Sequence, residues 1–486
     1  LAAAGLDRCR YVPNVWISHL AEDSRQVQPG SLFVAVRGER VDGHEFISKA
    51  LEAGARAVMV DRDGISVPYP IVLVRVHSTR AVLGPLMHAF YGSPSLHLTV
   101  VGVTGTKGKT TVTWLIRHLL ESCGIPCGVM GTIGAMWADR VRTFPHTTPD
   151  AGTIQRTLAD MVGWGMQACA MEVSSHALDQ HRTDGIRWGC AVFTNLDAEH
   201  LDYHRTLEAY RDAKRRLFAD LMPNAVAILH RGDPSWSFMA RGVRGRVVTY
   251  AVNQQADLEA RNVRLSLHGT YFDLVKDGMR CPVETPLLGL HNVENILAAL
   301  AVVETFQVPL EWAAHGLATF RGVPGRLERV EAGQPFPIFV DYAHTEGSLR
   351  YVLSQLRQMT RRKILTVFGC GGDRDKSKRP RMGRVAALLS DLVIVTSDNP
   401  RSEDPAQIAQ EILSGMEGLP TPVEVILDRR QAIQAALDYA DERWVVLIAG
   451  KGHEDKQVFA DCAIPFDDRE VVRACWGVRR AVGLAV

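Results

Sequence analysis

Short apolar runs bounded by turn residues alternate along this chain with stretches whose apolar positions recur at helical spacing. Ser31-Leu32-Phe33-Val34-Ala35-Val36 and Ala57-Val58-Met59-Val60 read as strands, and the turn-rich Tyr91-Gly92-Ser93-Pro94-Ser95 marks a first boundary. Beyond it, Leu96 to Val101, Gln167 to Val173 and Cys190 to Asn195 read as buried strands separated by helices, which implies a mostly parallel sheet. After Gly322-Val323-Pro324-Gly325-Arg326, further strands are expected at Ile338 to Val340, Ile364 to Phe368, Leu392 to Thr396 and Trp444 to Ala449. The fold class is therefore α/β with three domains: a small N-terminal α/β domain over 1–95, a central P-loop ATPase-like domain over 96–330, and a Rossmann-like, doubly wound C-terminal domain over 331–486.

One helical pattern contains a misfit. From Thr206 to Leu221, residues Leu207, Tyr210, Leu217, Phe218 and Leu221 share a face, and Lys214 lies among them while Arg211, Arg215 and Arg216 point elsewhere. A buried ammonium must be paired, lose its proton or be chemically modified. The competing reading is a lysine stem lying along the helix with its charge in water. Periodicity leaves both open.

Composition narrows the partners. The 486 residues suffice for about three domains. A formal charge of +1 and the lack of a long basic run give no electrostatic case for nucleic acid, so small molecules are expected. The nine cysteines include no CxxC pair or zinc spacing; Cys123 and Cys127 read as one turn at a helix end, and reduced cytosolic thiols follow. Leu1 suggests that the native start lies upstream, and Leu1 to Arg8 is too short and too soon charged for a secretory signal. No segment is long and apolar enough to insert in a membrane. A cytoplasmic monomer is expected.

Candidate chemistry begins at Gly102-Val103-Thr104-Gly105-Thr106-Lys107-Gly108-Lys109-Thr110-Thr111, between an expected strand and helix. Backbone N–H groups and the positive helix end can cradle phosphate there, Lys109 can reach terminal phosphates, and a threonine hydroxyl can hold magnesium. The common P-loop spacing is not met, because its first glycine would fall on Val103. Glu172 ends a strand, where a carboxylate could hold magnesium or cap the following helix. The loop Asn195 to His204 is acidic and histidine-rich; His200 is either a metal ligand or a solvated loop residue. Thr147-Thr148-Pro149-Asp150 also reads as a turn with a helix cap.

Read together, Gly105 to Thr111, Glu172-Val173-Ser174-Ser175-His176, Tyr210 to Phe218, His291-Asn292-Val293-Glu294-Asn295, Gly325-Arg326 and Asp341-Tyr342-Ala343-His344 resemble the Mur ligase family, which uses ATP to build the peptide stem of bacterial cell-wall precursors. Gly371 to Lys376 and Asp398-Asn399-Pro400-Arg401 resemble the members that add the third residue of the stem. The resemblance implies that Lys214 is carbamylated and holds Mg2+ with Thr110, Glu172 and His200. It implies ATP binding by Gly105, Thr106, Lys107, Gly108, Lys109, Thr110 and Thr111 with Asn292, Arg326, Asp341 and His344. Ser24, Glu39, Arg40, Val41, Thr147, Thr148, Ser174, Gln180 and Arg182 match positions that meet the substrate UDP-N-acetylmuramoyl-L-alanyl-D-glutamate.

The implied reaction makes chemical sense. A carboxylate is a poor electrophile, so ATP would first convert it to an acyl phosphate, which an amine then attacks with water excluded. As the amine donor, meso-diaminopimelate has a far-end carboxylate that lysine lacks, and a guanidinium can bind it through two parallel bonds. Arg401 is the candidate, with Arg374, Asp398, Asn399, Pro400, Gly450 and Glu454 as the remaining contacts and Glu454 balancing an ammonium. The alternatives are the same reaction with L-lysine, a ligase like folylpolyglutamate synthetase, and a regulatory protein that binds ATP without making a product.

Overall fold

The computed structural model describes residues 15–38 and 41–483, the side chains of the last six excepted. Four parallel strands, His19–Ala21, Ser31–Val34, Ala57–Val60 and Val72–Arg75, form the first sheet in chain order. Their β-branched and aromatic residues are buried on both faces, as parallel strands require.

The central sheet has eleven strands. Its middle runs Val226–His230, Trp188–Phe193, Thr99–Thr104, Ala168–Glu172 and Cys127–Gly131 in space, all parallel. Antiparallel strands Gly134–Trp137 and Arg140–Arg142 close one edge. The expected strand at 96–101 begins later. Pro94, with its fixed φ, opens a 3-10 turn over Pro94–Leu96, His97 N–H donates back to Pro94 O, and sheet pairing starts only where Thr99 N–H reaches Gln167 O. Cys127 likewise opens a strand, and Cys123 alone ends the helix Lys109–Ser122, which corrects the reading of the pair as one helical turn.

The third sheet orders Glu328–Arg329, Ile338–Asp341, Trp444–Ala449, Lys363–Phe368, Leu392–Val395 and Val423–Val425, parallel except at the first pair. Side chains alternate between two cores. Phe339, Ile364, Val393 and Leu447 pack on one face beneath the helices Glu346–Met359 and Lys378–Leu389. Val340, Leu365, Ile394 and Ile448 pack on the other beneath Arg429–Tyr439. Helices on both faces are the doubly wound arrangement expected from the strand-and-helix alternation.

The chain separates into two compact units. One runs through Asn262 and adds Phe272–Val283 and His291–Ala318; the other gathers Val263–Tyr271, Glu284–Leu290 and the chain from Thr319 onward. No helix of the described residues is long and apolar enough to cross a membrane.

Candidate active site

In the first unit the phosphate loop leaves the strand Thr99–Thr104 at the carboxyl end of the sheet and enters the helix Lys109–Ser122. Two of its glycines are obligatory. A Cβ on Gly105 would overlap Thr194 Oγ1, and one on Gly108, at φ +85°, would press on Asn295 Oδ1. The loop is held from behind: Thr194 Oγ1 donates to Lys107 O (2.6 Å) and Lys107 N–H donates to Asn195 Oδ1 (2.9 Å). Lys109 Nζ donates to Gly105 O and Thr106 O, within the loop, and Thr111 sits in the first helical turn. Asn292 lies beside this loop through Asn295, whose Nδ2 donates to Asn292 Oδ1.

Glu172 closes the neighbouring strand, in register with Val103. Thr110 Oγ1 donates to its Oε2 (3.0 Å), while Thr132 supplies its N–H to Oε1 (2.8 Å) and its hydroxyl to Oε2 (3.1 Å). The helix-cap reading fails, because Ser174 Oγ takes that role by accepting from Ala177 N–H. Glu172 therefore ties the first turn of the phosphate-loop helix to the next strand but one.

Lys214 is inside. Its residue is 1% exposed, so the solvated-stem reading is excluded. Leu207, expected on the buried face, is instead 40% exposed because it opens the helix Leu207–Ala219, one turn before packing begins at Tyr210. Lys214 Nζ donates to Gly105 O (2.9 Å) and lies 4.3 Å from the Tyr210 ring centre. Burial, reinforced by the charge of Lys109, holds its pKa well below the usual lysine range. Burial of this kind favours the uncharged form of the amine.

His200, in the left-handed region at φ 57°, stands 4.9 Å from the His176 ring and 6.1 Å from Tyr210, centre to centre. Burial lowers its pKa, with the charge of Lys109 adding to this and that of Glu199 opposing it, while His176 is pushed down to about 4, first by burial and then by His200. Imidazoles kept neutral are the form that ligates metals.

A cavity of about 1000 Å³ opens in the same unit, and Ser24, Val41, Gln180 and Arg182 line it. Arg25, Lys49, Arg80, Arg142 and Arg156 join Arg182 around it, against the acids Glu22, Asp23 and Asp150, so its surplus is positive. Arg182 donates to Gln180 Oε1 and Thr148 O. Thr148 itself is turned away: its hydroxyl donates to Glu172 O and accepts from Ser174 N–H. Thr147 meets Thr132 (3.1 Å), and Asp150 caps the helix Ala151–Gly163. Glu39 and Arg40 lie outside the described residues.

In the second unit, Asp341 ends its strand and accepts from Leu327 N–H (2.6 Å); burial raises its pKa to about 6 against the opposing charge of Arg326. Arg326 lies over the Tyr342 ring (5.2 Å), which is flanked by His344 (4.5 Å) and His453 (4.9 Å). Gly325 and Gly452 meet there backbone to backbone, since a Cβ on Gly325 would overlap Gly452 and His453 and one on Gly452 would meet Tyr342.

Three adjacent parallel strands of this unit deliver the other expected residues at their carboxyl ends: Arg374 after Lys363–Phe368, Asp398 to Arg401 after Leu392–Val395, and Gly450 with Glu454 after Trp444–Ala449. Asn399 Nδ2 donates to Glu454 Oε2 (2.7 Å), and a Cβ on Gly450 would sit 3.4 Å from Asp398 Oδ2. Arg401, at φ 52°, donates from Nη1 to Gly372 O (2.7 Å). Behind them Arg429 and Asp468, both side chains 0% exposed, form a two-bond ion pair at 2.7 Å; Arg429 also donates to Ser397 O and Ala449 O, tying two strand ends together.

Family models match three successive stretches: the Mur ligase family catalytic domain at residues 17–91, the Mur ligase middle domain at 103–303 and the Mur ligase glutamate ligase domain at 325–452. A relative from Gloeobacter violaceus named UDP-N-acetylmuramoyl-L-alanyl-D-glutamate--2,6-diaminopimelate ligase is 43% identical over 99% of this chain and 98% of its own. The chain belongs to the Mur ligase family. A Listeria monocytogenes ligase of the same name is 42% identical, covering 96% of both chains. A solved ligase structure with that name superposes at a TM-score of 0.72, with 34% identity over 97% of this chain and 98% of its own.

For a Mur ligase, the donor set can be tested against magnesium. Among the described residues no three His, Cys, Asp or Glu side chains converge at metal-binding spacing. Beside Thr110, Glu172 and His200, magnesium would need a further oxygen donor, which a carbamate on Lys214 would add and an amine on its own cannot. Three participants escaped the sequence reading. Thr132 and Asn295 are hidden because Glu172, which Thr132 bonds, and Gly108, which Asn295 crowds, are distant in sequence, although Asn295 lies within the His291 to Asn295 motif; Lys451 lies between Gly450 and Glu454 but is not itself singled out by the sequence.

Proposed function

We infer that this Mur ligase joins the amino group of meso-diaminopimelate to the D-glutamate carboxylate of UDP-N-acetylmuramoyl-L-alanyl-D-glutamate, using ATP. The observation that carries the mechanism is the buried amine of Lys214, bonded to the phosphate loop's own Gly105 carbonyl, with its pKa held well below the usual lysine range by burial. Only an unprotonated amine can attack carbon dioxide: its lone pair forms the N–C bond, one N–H proton leaves, and a carbamate anion remains. That anion, with Thr110, Glu172 and His200, would hold Mg2+. Bound there, magnesium supplies positive charge for the phosphoryl group in transfer.

The chain's own residues do the rest. Backbone N–H groups from Gly105 to Thr111 and Lys109 bind phosphate oxygens, with Asn292 beside them; Arg326, Asp341 and His344 are the further proposed ATP contacts. The positive cavity around Arg182 suits a diphosphate-bearing substrate, with Ser24, Glu39, Arg40, Val41, Thr147, Thr148, Ser174 and Gln180 as its other proposed contacts. Arg401 and Arg374 take the far carboxylate of diaminopimelate, while Glu454, with Asp398, Asn399, Pro400 and Gly450 around it, takes an ammonium. Domain boundaries near 95 and 330, a cytoplasmic location and a monomeric state belong to the same proposal.

The test is phosphate release from ATP with the UDP-linked dipeptide and either meso-diaminopimelate or L-lysine. Release that needs both the dipeptide and diaminopimelate supports the assignment. Release with lysine at equal efficiency overturns the choice of amine, and release with neither overturns the ligase.

A further inference from the structure

Lys451 follows the strand Trp444–Ala449 by two residues and is 0% exposed. Its Nζ donates to Asn399 Oδ1 (3.1 Å), Glu454 Oε2 (3.1 Å) and Lys456 O, and lies 3.9 Å from Asp398 Oδ1. An ammonium can only donate, so it turns the Asn399 amide with Oδ1 inward and Nδ2 toward Glu454, where Nδ2 bonds the same Oε2 at 2.7 Å. Val458 N–H confirms that orientation by donating to Asn399 Oδ1 (2.9 Å). Both bonds to Glu454 land on Oε2 and neither uses Oε1, on a carboxyl side chain that is 33% exposed.

Resting on the assignment of this unit to diaminopimelate, we propose that Lys451 is the positioning residue that presents Glu454 Oε1 to the far-end ammonium of the incoming amino acid. It acts through Asn399 and Glu454 and touches no substrate itself. Without it, Asn399 Oδ1 keeps only the Val458 N–H and Glu454 loses the charge that fixes one of its oxygens, while Asp398, whose own pKa is already raised by burial, loses a cation. The penalty should therefore depend on whether the ligand carries that ammonium.

Wild-type activity with diaminopimelate is measured first; its absence would sink the assignment, not this inference. In an active enzyme, Lys451→Met is expected to raise KM for diaminopimelate by about 30-fold, as removal of one partner from a buried charge pair does. KM for ATP and for the UDP-linked dipeptide should stay within about twofold, and Lys451→Arg should recover part of the loss. The decisive comparison uses 2-aminopimelate, which keeps the far carboxylate but lacks the far ammonium, measured as an inhibitor. Its inhibition constant should be nearly the same in wild type and Lys451→Met. An equal penalty for both ligands, or an equal rise in all three KM values, overturns the proposal. Should Lys451→Met not fold, Lys451→Gln removes the charge but keeps a neutral hydrogen-bond donor and carries the same expectation for the two ligands.

Discussion

Two lysines of this chain are buried to the same degree and have opposite chemistry. Lys214, in the first unit, has one backbone carbonyl, an aromatic face and a second lysine nearby; Lys451, in the other, has a carboxylate at 3.1 Å and another at 3.9 Å. Burial sets the cost of a charge, and the partners decide how that cost is met. Lys214 is pushed toward the uncharged amine, which is the nucleophilic form. Lys451 forms an ion pair and becomes a fixed strut.

The comparison is most exposed at Lys214. Replacing it by Met should lower phosphate release by about 10³-fold, in the range of a lost transition-state electrostatic contact, and Arg should not rescue because a guanidinium forms no carbamate. Activity within tenfold of wild type would break the contrast. Carbon-13 NMR in labelled bicarbonate sharpens it: one carbamate signal is expected, lost in Lys214→Met and kept in Lys451→Met.

Arg429 tests the paired side of the rule. Arg429→Met strands a fully buried Asp468 and should cost about 3 kcal/mol in denaturant unfolding, whereas Arg429→Met/Asp468→Leu should regain most of it. A single variant as stable as wild type would show that the pair does not tie the strand ends. Next, Arg401→Ala should reduce kcat/KM for diaminopimelate by about 10²-fold with little change in KM for ATP. Equal losses for both would remove Arg401 from amino-acid recognition.

The smallest effect concerns an acid obeying the same rule. Burial, then the charge of Asp150, raises the Glu22 pKa to about 8, against a value near 4.5 in the unfolded chain. The folded state thus keeps a proton that the unfolded state releases, so this contribution is complete below 4.5 and declines as pH rises toward 8. Glu22→Gln cannot lose a proton. Its Tm relative to wild type should therefore rise by roughly 2–4 °C between about pH 5 and about pH 8.5, and a constant difference would refute the assignment.

Local pattern carried most of the fold. The strand Trp444–Ala449 appears at the bounds its apolar run implied, and Lys214 announced itself by interrupting an apolar face. What stayed hidden depends on distant partners. Glu172 was ambiguous until Thr132, 40 residues earlier, closed on it, and Lys451 had no visible reason to be buried because Asn399 lies 52 residues away. The late strand start at Thr99 came from Pro94, whose 3-10 turn outcompeted an apolar run for the same residues. Cys127 shows the limit of spacing alone, since four residues from Cys123 is one turn only if the helix continues.

The seam between Gly325 and Gly452 has a bearing on drug resistance. Each position is closed to any side chain by the other's neighbourhood, so neither can drift without moving two loops at once. An inhibitor resting on this backbone would press against a wall that point mutation cannot reshape, and escape would have to arise at residues it does not touch.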